Sequence, residues 1–165
     1  MLTAPAIRNL PPPDDAAAPW MPHARGELGT PELIAGELNP RVRSYFKVTR
    51  YPWKAIKKHT AWCAAFVSWC LVQAGVKSPR TAGAAVIMQR CYRLERFRYG
   101  CLVVLPRGAE KHHVCFGIDL QGDRLLTIDG NSNNRVRYAE HDAGAVLGYY
   151  WPTRPELEQV RRRAA

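Results

Sequence analysis

The chain of 165 residues carries 24 Lys and Arg against 14 Asp and Glu, a formal charge of +10 at pH 7, and 47% of its residues are apolar. This length suits one domain with a core of its own, the apolar content excludes a disordered chain, and no apolar run approaches the roughly 20 residues that span a bilayer. The positive excess favours polyanionic partners, nucleic acid and anionic envelope polymers among them, without choosing between them.

Residues 1–19 read as a flexible lead rich in Pro and Ala, with Pro11-Pro12-Pro13-Asp14-Asp15 followed by an alanine run and Pro19. The start has neither a basic region leading into a continuous apolar stretch nor a cleavage site, so no ordinary secretion signal is expected. The domain is expected over 20–152. A short helix over Pro22–Leu28 is closed by Gly29, and Asn39-Pro40 reads as an N-cap with proline at N1, opening a helix through Tyr45 and Phe46. The next helix takes Thr60 as N-cap, which makes Cys63 the N3 residue. Phe66, Val67, Cys70, Leu71 and Ala74 mark its buried stripe, and Gly75 stops it. Cys70 stands two turns from Cys63, roughly 10 Å along the axis, too far for a disulfide. A further helix is expected over Ala82–Cys91. Short β segments follow at Cys101–Leu105, His113–Leu120, Arg124–Asp129, Val136–Tyr138 and Val146–Trp151, punctuated by turn residues. Helices followed by an antiparallel meander of about five strands make an α+β domain. Residues 153–165 read as a basic, solvated, partly helical tail.

The chemistry begins at Cys63. A thiol in a helix's first turn meets unpaired backbone N–H groups and the positive end of the macrodipole, both of which favour thiolate. The other four cysteines, Cys70, Cys91, Cys101 and Cys115, show no CxxC spacing and read as reduced core thiols. Alternation along Lys111–Ile118 puts Val114, Phe116 and Ile118 on one face and His113, Cys115 and Gly117 on the other, so His113 points away from the core face. On the next strand Asp129 and Asn131 share a face, and an antiparallel neighbour could present either to His113. Thiol, imidazole, then carboxylate or amide is the set a nucleophilic hydrolase needs. A zinc site from Cys63, His112, His113 and Cys115 is disfavoured, because His112 and His113 face opposite ways and paired spacing is missing. No metal and no cofactor is expected.

With these residues in view, the chain resembles the papain-like peptidoglycan hydrolases of the CHAP and NlpC superfamily. Trp62-Cys63-Ala64-Ala65-Phe66-Val67-Ser68-Trp69-Cys70 fits the nucleophile block, His113-Val114-Cys115-Phe116 the histidine strand, and Asp129-Gly130-Asn131 the following acid or amide segment. Glu27-Leu28-Gly29 with Glu32, Gly36 and Asn39-Pro40 looks like the upstream helical block, and Gly148-Tyr149-Tyr150-Trp151-Pro152 like the closing strand. The chain departs from the family pattern in having His112 where glycine is common, Gly100-Cys101 where Gly-Asp is common, and a basic Lys54–His59 stretch where some members carry calcium-binding acids.

The resemblance implies a papain-like fold, with the nucleophile helix packed on the sheet, and a thiol hydrolase acting on an amide or peptide bond of the stem peptide of bacterial peptidoglycan. Cys63 would be nucleophile, His113 base and Asp129 its orienting group. Asn131 would share that task or hydrogen-bond within the site, the Cys63 N–H would meet the oxyanion, and Trp62 and His112 would contact substrate. Such an enzyme reaches the wall by phage lysis or by a contact-dependent secretion system, the second implying a cognate immunity protein that occludes Cys63. A monomer without membrane insertion is expected. Two alternatives stand beside this reading. One is a basic nucleic-acid-binding module whose Cys-His-Asp series is accidental, although no recognition helix or ribonucleoprotein motif favours it. The other is a deamidating or transferase toxin on the same fold.

Overall fold

In the computed structural model, which describes Leu10 and residues 12–154, the longest helix runs through the centre of the molecule. This is α3, Cys63–Gln73. It follows α1 (Met21–Gly26), a two-stranded ribbon of β1 (Leu33–Ile34) and β2 (Glu37–Leu38), and α2 (Pro40–Tyr45). After it come α4 (Ala84–Arg90) and six strands: β3 (Tyr92–Leu94), β4 (Leu102–Pro106), β5 (His112–Gln121), β6 (Arg124–Ser132), β7 (Arg135–Asp142) and β8 (Gly148–Trp151).

Every residue of α3 from Cys63 to Leu71 is buried, a wider surface than the single stripe expected. A helix apolar all round has to be covered all round, and the sequence supplies both covers. On the sheet side Phe66 meets Phe116 edge to face. A Cβ at Gly130 would stand only 2.7 Å from the Phe66 ring, so glycine is what lets β6 approach this closely. On the far side Tyr45 of α2 packs against Trp62, Phe66 and Trp69.

The α+β architecture is as expected, but the antiparallel sheet has six strands, in the order β3-β8-β4-β5-β6-β7, rather than about five. The additional strand is β3. Its three residues are mostly exposed and include Arg93, so they lack the apolar alternation by which a strand is read. β5 and β6 sit side by side inside the sheet, with Cys115 opposite Asp129, and β7 continues the register with Arg137 opposite Asp129. Both faces of β5 are covered, so His113 is buried rather than turned away from the core. The second face closes because Gly117 has no side chain: a Cβ there would lie 2.6 Å from Phe97.

The N-terminal helices are fixed by polar contacts as well. Asn39 caps α2 by accepting the Arg41 N–H at 2.8 Å ahead of Pro40, an arrangement that stabilises by about 1 kcal/mol. Buried Glu27, just past α1, accepts from Arg41 and from the Tyr45 hydroxyl at 2.6 Å, which ties α1 to α2. Packed chain is present before Trp20, where the domain was expected to begin. Asp15 pairs with Arg25 and accepts from the Tyr99 hydroxyl, Ala18 is buried against Gly100, and the Trp20 indole donates to the Gly100 carbonyl at 2.9 Å. Most of the expected lead and tail, residues 1–9, 11 and 155–165, lies outside the described residues. Among the described residues, no helix is long and apolar enough to cross a membrane.

Candidate active site

The chain enters α3 without a side-chain cap. Trp62 occupies the N-cap position with no capping bond, while Thr60 Oγ1 accepts the Lys57 N–H at 2.9 Å and closes a turn of its own. Cys63 is therefore the first helical residue rather than N3, still within the turn where the macrodipole favours an anion. The approach to it is held by Glu32, 1% exposed, whose carboxylate accepts the His59 N–H at 3.0 Å and lies 3.3 Å from His59 Nδ1. His59 sits there at φ +63°, a left-handed conformation that a non-glycine residue keeps only when its surroundings hold it.

Cys63 is 2% exposed. Burial pushes its pKa up, but a hydrogen bond and the positive charge of His113, with the backbone N–H groups of Val114 and Ala64, bring it below the ordinary thiol value. His113 shows the complementary balance. Burial pulls its pKa down, while hydrogen bonds to Asp129 and Cys63 carry it up to about 10. Each group thus favours the charged form of the other, thiolate beside imidazolium. His113 Nε2 lies 2.8 Å from Asp129 Oδ2, which leaves Nδ1 as the nitrogen for the sulfur.

Asp129, 1% exposed, is kept ionised by its neighbours. Burial pushes its carboxyl up, but His113 and then His141 hold it well below the usual carboxylate range. His141 Nε2 lies 3.0 Å from the same Oδ2, and the Thr127 hydroxyl donates to Oδ1. An ionised carboxylate only accepts, so both imidazoles present an N–H to it.

Of the two residues expected to face His113, Asp129 makes the contact. Asn131 stands two residues on, at φ +59° in a bulge that breaks the register of β6 with β7, and its buried side chain lines a cavity of about 260 Å³ beside His113, Asp129, His141 and Arg107. Cys63 does not line this cavity. Trp62 is not available to a substrate as expected. It is fully buried between Tyr45 and Phe66, at ring separations of 5.9 and 6.5 Å, and its indole N–H has no hydrogen-bond partner among the described residues. His112 is half-buried at the start of β5, opposite Pro106. His141 was not anticipated. The apolar pattern marks the last strand before the closing one only over Val136–Tyr138, whereas β7 continues to Asp142 and carries His141 back beside Asp129.

His113, Cys115 and Asp129 each place one donor atom within 4.8 Å of the others, a set different from the four residues weighed in the sequence. These donors fit an ion poorly. Burial and then the charge of Asp129 drive the Cys115 thiol far up, so it keeps its proton, and His113 and Asp129 are bonded to each other. The remaining thiols are inert by the same physics. Burial raises Cys70 strongly and carries Cys91 and Cys101 up to about 12. Iodoacetamide at neutral pH is therefore expected to modify Cys63 first and, in the folded protein, alone, with the rate falling in His113→Ala. Peptide mass mapping checks this, and labelling of half-exposed Cys91 ahead of Cys63 would contradict it.

No protein-family model matches the sequence, and no curated protein matches it. Among solved structures, the fold is similar to a lipoprotein-like protein of the NLP/P60 family from Staphylococcus aureus, at 17% identity and a TM-score of 0.51. The likeness covers 88% of this chain and 44% of that protein, so the present chain spans less than half of the neighbour's length. It is a likeness of fold.

Proposed function

We propose that this protein is a cysteine hydrolase that cleaves an amide or peptide bond in the stem peptide of bacterial peptidoglycan. The observation that carries the reading is the buried relay from Cys63 through His113 to Asp129, in which a depressed thiol faces an imidazole held charged by a carboxylate at 2.8 Å. The likeness to an NLP/P60 protein supports the fold on which such a relay would act. Cys63 attacks the carbonyl carbon, and its own N–H together with the first turn of α3 stabilises the oxyanion. His113 gives its Nδ1 proton to the leaving amine, then takes one from the water that releases the acyl group. Asp129 fixes the ring, and His141 with Thr127 fixes Asp129. Asn131 and Arg107, which line the cavity beside His113, and His112 at the start of β5 are the residues through which the substrate would be chosen. In keeping with this reading, the enzyme acts in the periplasm or wall after specialised secretion or phage lysis, and a secreted form would need a partner that covers Cys63 in the producing cell.

Purified wall sacculi should release soluble muropeptides with the wild-type protein and none with Cys63→Ala. Mass analysis of the products identifies the bond. Equal release by both proteins, or by neither, would sink the proposal.

A further inference from the structure

A second cavity, of about 320 Å³, is lined by Arg50 from the loop after α2, Lys77, Pro79 and Arg80 from the loop joining α3 to α4, Arg90 at the end of α4, and Pro152 after β8. Neither an acidic nor an aromatic side chain lines it. Among the described residues none of the four cations has an ion-pair partner, whereas Arg25, Arg41, Lys58 and Arg124 elsewhere each pair with a carboxylate. Four like charges around one concavity repel one another unless an anion sits between them.

The loop carrying two of those cations is built rather than slack. Ser68, fully buried in the middle of apolar α3, spends its hydrogen bonds on the segment: its hydroxyl donates to the Thr81 carbonyl at 3.0 Å and accepts the Thr81 N–H at 3.1 Å, and its carbonyl accepts from Ser78. Ser78 Oγ in turn accepts the Arg80 N–H at 3.2 Å, with Arg80 held left-handed at φ +49°. Arg90 Nη1 donates to the Pro79 carbonyl at 3.2 Å, which fixes that side chain on the loop and leaves its other donors free. Burying a hydroxyl in a helix core and holding a strained arginine are both unfavourable unless the surrounding structure compensates, and here both serve to position cations.

We propose that this cavity is an anion site for a phosphate group on a non-nucleotide ligand. Three guanidiniums match the tetrahedral oxygens of phosphate, and their pre-set positions lower the cost of ordering them on binding. Single-stranded nucleic acid is commonly held by aromatic side chains on which successive bases stack, and the cavity has none.

Inorganic pyrophosphate, titrated calorimetrically into the full chain at low salt, should bind saturably at one site. Affinity should fall about tenfold in Arg80→Gln and further in the Arg80→Gln/Arg90→Gln protein, while Arg124→Gln, a paired arginine on the sheet, should bind like wild type. Iodoacetamide labelling of Cys63 should be unchanged in all three, so this inference and the hydrolase reading fail separately. Three results would overturn it: no saturation, an equal loss in Arg124→Gln, or a ten-nucleotide oligothymidylate that binds much more tightly than pyrophosphate and is released by the double substitution. The last would assign the cavity to nucleic acid.

Discussion

Asp129→Asn is expected to lower kcat/KM for wall hydrolysis by roughly 10²–10³-fold, and to lower it most at alkaline pH. The sign follows from the site. Burial pulls the His113 pKa down, but hydrogen bonds to Asp129 and then Cys63 outweigh it and carry it up to about 10, so the wild-type profile should hold its plateau well above neutrality. It should fall on the acid side as the Cys63 thiolate takes a proton, and on the alkaline side as His113 loses its own near that value. Asparagine keeps the shape but removes the charge, so the alkaline limb should move toward the ordinary imidazole value. Folding stability should follow the same window. A group whose folded pKa is raised contributes fully below its unfolded value of about 6.5 and loses that contribution as pH climbs through the folded value, so wild type should lose more stability than Asp129→Asn across that interval. His141 acts through Asp129 and is a positioning residue: His141→Ala should lower kcat/KM by loosening the carboxylate, and His141→Gln, which keeps an N–H donor, should restore it. A pH–rate profile of Asp129→Asn superimposable on wild type would refute the role of the carboxylate.

The largest effect on stability is expected where α3 meets β6. Phe66→Ala should cost about 3–5 kcal/mol, since the ring is fully buried against Tyr45, Trp62 and Phe116. Gly130→Ala should cost about 1–3 kcal/mol, because its new methyl would lie 2.7–2.8 Å from Phe66 atoms and neither helix nor strand can yield without opening the core. The two costs should not add. In the Phe66→Ala background the two ring contacts at 2.7 and 2.8 Å are gone and only the contact with the residue's Cβ at 2.8 Å is left, so by urea denaturation the double variant should fall short of the sum by part of the Gly130→Ala cost. Strict additivity would mean that the tight approach at Gly130 is relieved elsewhere.

Local chemistry was legible wherever one residue type has one structural use. Asn39-Pro40 could be read as a helix start because an amide acceptor followed by a residue lacking an N–H suits that position, and Cys70 as core because an apolar helix leaves a mid-helix thiol nowhere else to go. What escaped the reading depends on partners far along the chain. The start of α3 shifted because Thr60 is engaged by Lys57, a choice between two donors that propensity does not decide. Trp62 looked like a ligand-facing aromatic until α2 laid Tyr45 over it. His141 was invisible because its meaning comes from β7 pairing with β6 far beyond the short apolar stretch that marks the strand. The choice between Asp129 and Asn131 turned on a bulge whose only trace in the sequence is Gly130-Asn131.

The five cysteines are all unpaired, and only one carries a lowered pKa. Oxidants attack thiolate rather than thiol, so in an oxidising compartment Cys70, Cys91, Cys101 and Cys115 would age slowly while Cys63 moved toward sulfenic and sulfinic acid. With no disulfide to lose and four thiols too protonated to form one readily, the fold should outlive its own nucleophile. The working lifetime of the molecule is then set by a single sulfur atom, and inactive protein recovered after exposure should be folded and one or two oxygen atoms heavier.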